Sequence, residues 1–264
     1  MKILQKYQYL FYPTVFLVFL WPYGPDNDNF YFFGVWKFLI ATVLITLCAI
    51  IYYPKSWSTI LGFTKSPLQI IICLIIGIIA YNVFGFIIVQ DDYQFLKLLG
   101  PLDYSFPTLA HIVWRITQPL NEEIALRAIL LCVLAKLFKQ RTYIAIIAAL
   151  VFAILHFVLY YFGTLNTALN LTSLATLFLF GLAANSLYFT FNHIGYGLVL
   201  HIAWNWWRFS GAIVKDNIVL NEAQGFNVIE GSLPVFLFVA IVGTCCLIGL
   251  RLHEVSRAKK MKNG

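Results

Sequence analysis

PLNEEIALRAILLCVLAKLF, residues 119–138, carries Glu122, Glu123 and Arg127 inside a run otherwise apolar enough to cross a bilayer. Moving a charged side chain from water into hydrocarbon costs at least ~2.5 kcal/mol on insertion scales. Three ionisable residues within six positions therefore need a physical reason. The other polar clusters fall at helix ends or in loops, while two further apolar runs each hold a histidine, His156 and His201. The pattern is that of a candidate catalytic centre inside a membrane.

Composition agrees. Of 264 residues 61% are hydrophobic and 11% charged, whereas a soluble domain carries about 25% charged residues. The expected fold class is all-α: a polytopic membrane helical bundle forming one integral membrane domain over residues 1–264. At that length there is no room for a second soluble domain. The five cysteines, Cys48, Cys73, Cys132, Cys245 and Cys246, all sit in apolar runs without CxxC spacing and read as small hydrophobes rather than a disulfide framework. A cleavable signal peptide is not expected, because the first apolar run ends at WPYGPD instead of a small-x-small site.

A helix needs ~20 apolar residues to cross the ~30 Å hydrocarbon core. About eight segments qualify or nearly do: 7–22, 31–53, 68–89, 119–138, 142–162, 169–190, 194–210 and 233–250. The first is short and could lie flat. Residues 104–118, bracketed by Pro107 and Pro119 and interrupted by His111 and Arg115, read as a separate interfacial or re-entrant helix. With the N-terminus inside, the cytoplasmic segments collect 12 of the 18 basic residues, and the outer loops collect 8 of the 11 acids. The positive-inside rule counts the basic residues and places both termini in the cytoplasm. The net charge of +7 then suits anionic lipid headgroups, and no nucleic-acid partner is expected. Heavy use of Ile, Phe, Tyr, Asn and Lys suggests an AT-rich prokaryotic source, hence a bacterial cytoplasmic membrane.

On a helix, residues four apart share a face and adjacent ones point ~100° apart. Glu123 can pair with Arg127, one turn later, which leaves Glu122 pointing elsewhere without a local cation. A buried carboxylate without a partner suits a general base or acid. In VFAILHF, His156 follows Phe152 by four; in HIAWN, His201 and Asn205 share one face. At 1.5 Å per residue, Glu122, His156, Asn205 and His201 lie ~5, ~9, ~8 and ~14 Å below the outer ends of their spans. All converge on the outer half of the bilayer. His111, His193 and His253 lie outside the motifs and read as interfacial or loop residues. Trp204, Trp206 and Trp207 read as part of an interfacial belt, and NHIGYG at 192–197 as a cytoplasmic turn.

Glu122, Glu123, Arg127, Phe152, His156, His201 and Asn205 spell EExxxR, FxxxH and HxxxN in order on separate spans. This resembles the CPBP family (CAAX protease and bacteriocin-processing enzymes, also called Abi), intramembrane proteases related to the type II CAAX prenyl endopeptidases. The resemblance covers about residues 119–208, the expected catalytic core. Members usually carry an aromatic before the arginine and a glycine after it, where this chain has Leu126 and Ala128; both are packing positions.

What the resemblance implies is a glutamic peptidase without cofactor. Glu122 would activate a water, which His156 orients or whose proton it shares. His201 and Asn205 would stabilise the oxyanion, and Glu123 with Arg127 would hold the helix and the local field. Two histidines and one glutamate also make an adequate catalytic zinc set, which spacing alone leaves open. Asn205, a poor zinc ligand but a good oxyanion donor, favours the metal-free reading. The expected substrate is a membrane-anchored segment of an exported protein or propeptide, since prenylated substrates sit on the cytoplasmic face. Two other classes compete: a non-catalytic bacteriocin-immunity or membrane scaffold protein, and a proton-coupled transporter using Glu122 and His156 as a relay. The second leaves Asn205 without a task.

Overall fold

The computed structural model describes residues 10–21, 30–63, 66–89, 109–162, 169–214 and 231–263, and their regular structure is helical throughout. Helix α1 (Phe11–Leu20) packs on α2 (Phe30–Tyr52), and after the single turn α3 (Trp57–Ile60) comes α4 (Pro67–Val89). Helix α5 (Leu109–Glu123) continues through a π-helical segment, Ile124–Ile129, into α6 (Leu130–Leu137). Then follow α7 (Arg141–Phe162), α8 (Leu171–Phe191), α9 (Gly195–Val214) and α10 (Leu233–Asn263). Among the described residues α4, α7, α8 and α10 are long and apolar enough to cross a membrane, by length and composition. The chain is a helical membrane bundle.

Helix α8 is the central post. Over half of its apolar window (56%) is buried, against 22% for α4 and for α10. Those outer helices are apolar all round and turn Ile71, Leu74, Ile78, Leu237 and Ile241 outward, as lipid-facing helices do. In lipid, helices associate through close packing rather than through the hydrophobic effect, so small residues mark the contacts. Ala149 of α7 lies against Gly181 of α8, and Asn185 of α8 donates to the Ala145 carbonyl at 2.9 Å, all buried. Helix α9 lies along α4 and also touches α5 and α8. Helices α5, α7 and α9 can therefore all reach one point beside α8.

Two local features hold α9 in place. Asn192 adopts the left-handed conformation (φ 53°) and closes α8 by donating its N–H to the Tyr188 carbonyl at 2.6 Å, the usual stop signal of a helix. His193 Nδ1 then accepts the Gly195 N–H at 2.8 Å and caps α9. Burial pushes His193 below the ordinary histidine range, which keeps the ring neutral and Nδ1 able to accept. His193 is thus a buried cap within the expected turn. Gly62, at φ +79°, is the other fixture: its carbonyl accepts from Ile194 N at 2.9 Å and ties the α3 turn to the start of α9.

Two expectations need correction, and one helix runs further than its apolar segment. The separate helix at 104–118 does not end at Pro119: α5 runs through that proline, and helical backbone continues unbroken from Leu109 to Leu137. Proline removes one N–H and crowds the preceding turn, but packed neighbours in a membrane bundle absorb that loss. Residues 104–108 and the His111 side chain lie outside the described set. Trp204 is no belt residue. It is buried, edge-on to Phe84 at 5.1 Å and 6.0 Å from Phe180, because it follows His201 by three on the inward face of α9. Trp206 carries the Arg115 guanidinium over its ring at 4.8 Å; the Trp207 side chain lies outside the described set. Finally, α10 continues well past the hydrophobic segment 233–250. Ala, Lys, Arg and Glu favour helix in water, and Glu254 anchors the extension by accepting from Arg141 N at 2.7 Å and Thr142 Oγ1 at 2.6 Å.

Candidate active site

The two glutamates sit at the end of α5, immediately before the π-helical segment. A π segment carries an extra residue in its turn and recurs at functional sites; here all six of its residues are buried. Glu122 and Glu123 are themselves 2% and 0% exposed, so each carboxylate must find its partners inside the protein.

Glu122 faces the two motif histidines. Its Oε2 lies 3.7 Å from His156 Nε2 on α7 and 3.7 Å from His201 Nε2 on α9. Its Oε1 takes a 3.4 Å contact from Gln118 Nε2, one turn earlier on α5. Three helices thus deliver one carboxylate and two imidazoles to a single buried point. A gap of 3.7 Å exceeds direct hydrogen-bond range but lies within reach of one bridging molecule.

Glu123 has a different environment. Its Oε1 accepts from His201 Nδ1 at 3.0 Å and faces Arg127 Nη1 at 3.4 Å. Arg127, 1% exposed, also sets its guanidinium over the Phe152 ring at 4.3 Å. This is the pairing expected from four-residue spacing, plus a link to α9 that spacing could not show.

Backbone and carboxylate partners settle which ring nitrogens carry protons. The Phe152 carbonyl, 2.9 Å from His156 Nδ1, can only accept, so Nδ1 is protonated and Nε2 of the neutral ring faces Glu122 as an acceptor. The Glu123 carboxylate likewise accepts a hydrogen bond from His201 Nδ1–H. His201 can then donate from Nε2 only as imidazolium.

Of the residues expected from sequence, Glu122, Glu123, Arg127, Phe152, His156 and His201 are brought together. Asn205 lies one turn beyond His201 on α9 and is buried at 4% exposure. Three neighbours were not anticipated. Gln118 had a sequence signal, its four-residue spacing to Glu122, hidden by the break assumed at Pro119. Phe180, whose ring stands 5.5 Å from His201, and Gly197, against Glu123, come from distant positions and carried no local signal.

Zinc would be bound by Glu122, His156 and His201 if by any set here. Bonds of ~2.0–2.1 Å in a tetrahedron put ligand atoms ~3.4 Å apart, so the 3.7 Å separations would have to close by a few tenths of an ångström. No group of three or more His, Cys, Asp or Glu with metal-holding geometry occurs among the described residues.

No curated protein and no solved structure matches the chain. Residues 104–207 match the model of the family described as type II CAAX prenyl endopeptidase Rce1-like. That segment contains all of the clustered motif residues, and over it the chain is similar to this family of CAAX-type endopeptidases.

Proposed function

We propose that the chain is a glutamate-dependent intramembrane endopeptidase that cuts in or near a membrane-anchored segment of an exported protein or propeptide. The observation that carries this reading is Glu122, buried and held 3.7 Å from both His156 and His201. A water between Glu122 and His156 Nε2 donates one proton to each. Its lone pair is then free to attack the scissile carbonyl, with Glu122 as general base. His201, as imidazolium, donates from Nε2 to the oxyanion together with the Asn205 amide, a task worth ~3–4 kcal/mol per donor. Glu123 holds His201 in tautomer and orientation, and Arg127 balances Glu123. The protonated Glu122 finally passes its proton to the leaving amine.

On this mechanism cleavage is metal-independent. Turnover of the purified chain in liposomes stays within about twofold after treatment with 1,10-phenanthroline. Loss of activity that returns with added Zn²⁺ would replace the general-base route with a zinc-bound water.

Substrate class follows from depth and charge. With the basic segments cytoplasmic, depths counted at 1.5 Å per residue support a cluster in the outer half of the bilayer. That side suits a substrate already exported and still anchored, such as a bacteriocin-like propeptide or a C-terminal sorting anchor, better than a prenylated cytoplasmic tail. Single cysteines placed in 54–67 should resist a membrane-impermeant maleimide added outside, while those in 212–231 should react. The opposite pattern would invert the topology and move the site to the cytoplasmic half.

A further inference from the structure

On helix α9, Gly197, His201 and Asn205 recur every four positions and so share a face. His201 and Asn205 have tasks in the proposed reaction. The glycine has none, yet inside a helix it costs roughly 0.5–1 kcal/mol relative to alanine. Something at this position excludes a side chain.

That something is Glu123. A Cβ at Gly197 would stand 2.6 Å from Glu123 Oε2 and 3.4 Å from Glu123 Cδ, with Ala184 Cβ of α8 at 3.3 Å. The first distance is shorter than real Cβ contacts allow, so Glu123 would have to move. It cannot move freely: its other oxygen holds His201 Nδ1 at 3.0 Å and faces Arg127 at 3.4 Å. Retreat from α9 lengthens the first contact, because His201 sits one turn above Gly197 on the same helix.

We propose that Gly197 is a positioning residue of this site: its missing side chain is the seat of the Glu123 carboxylate, and through that carboxylate it fixes the proton and orientation of His201. This rests on the role given to His201 above, but the contact chain Gly197–Glu123–His201 is testable without any substrate. A simpler possibility is that Gly197 only lets α9 approach Ala184. The two differ in how Gly197→Ala depends on Glu123, because residues acting through one another give non-additive effects.

The test is a double-mutant cycle on the full chain in detergent, read by thermal unfolding and by ¹⁵N NMR of labelled histidine rings. Gly197→Ala should lower the melting temperature in the wild-type background. In a Glu123→Ala background, where the carboxylate is gone, it should raise it. If Glu123→Ala alone does not fold, Glu123→Ala with Arg127→Met supplies the same background without a stranded cation. In the spectra, the His201 Nδ1–H signal should be lost or shifted in Gly197→Ala. It should be unchanged in Gly249→Ala, whose added Cβ would meet nothing within 4 Å. A melting-temperature drop of equal size in both backgrounds, or an unaltered His201 signal, would overturn the proposal in favour of helix packing. Where Glu122-dependent cleavage is present, Gly197→Ala should lower it about 10²-fold, the scale of an ångström-sized misplacement. Were no cleavage found, the sign reversal and the histidine signal would still decide the role of Gly197, while the peptidase reading failed on its own.

Discussion

Glu122→Gln abolishes cleavage while leaving the bundle intact. Glutamine keeps the shape and the Gln118 contact but cannot accept the proton of the attacking water. The expected loss in kcat is roughly 10²–10⁴-fold, the range for removing a general base, with KM little changed because Glu122 acts on water rather than on substrate. Melting temperature should stay near the wild-type value, since glutamine keeps the volume and the Gln118 contact. Turnover by purified wild type and variant in liposomes, beside thermal unfolding, checks both halves. A variant that cleaves normally would leave Glu122 a structural group.

The largest effect on stability belongs to Arg127. It is 1% exposed, packs its guanidinium on the Phe152 ring at 4.3 Å and faces Glu123 at 3.4 Å. Arg127→Met keeps the bulk but strands the Glu123 carboxylate, and breaking a buried pair from one side costs about 3–5 kcal/mol. Replacing both charges with neutral groups of similar volume is commonly near neutral. Glu123→Gln with Arg127→Met should therefore recover most of the lost stability, measured by unfolding in detergent. It should not recover activity, because the amide no longer fixes the tautomer and orientation of His201 as the carboxylate does. Equal destabilisation in the single and double variants would mean that Arg127 acts through packing on Phe152 rather than through charge.

These two expectations rest on parts of the chain that differ in how readable they were. Local spacing made the Glu123–Arg127 pair and the stripe of His201 and Asn205 legible, because helical geometry fixes which residues share a face. Convergence of three motifs on one point was legible too, since charged and polar groups inside a membrane have few places to go. Continuity through Pro119 was not: proline removes a hydrogen bond locally, and only the packing of α5 against α2 and α9 compensates. The burial of Trp204 was missed for a related reason. Around a lipid-facing helix nearly every position is apolar, so hydropathy gives no inward direction, and an aromatic reads equally well as belt or core. The His201–Glu123 bond and the seat at Gly197 join residues 78 and 74 positions apart. No short-range pattern encodes such contacts. The tail of α10 escaped notice because hydropathy marks where a helix leaves the membrane, not where it ends.

The central claim is that Glu122 cuts an exported, membrane-anchored protein. It is tested most directly by comparing the protein termini of membrane and secreted fractions from cells carrying wild type or Glu122→Ala. The account predicts new termini beside an apolar segment in wild type that vanish in the variant, which would name the substrate and the scissile bond together. Identical termini in the two strains, alongside a phenotype on deletion of the gene, would contradict it and leave a helical membrane protein that acts by binding rather than by turnover.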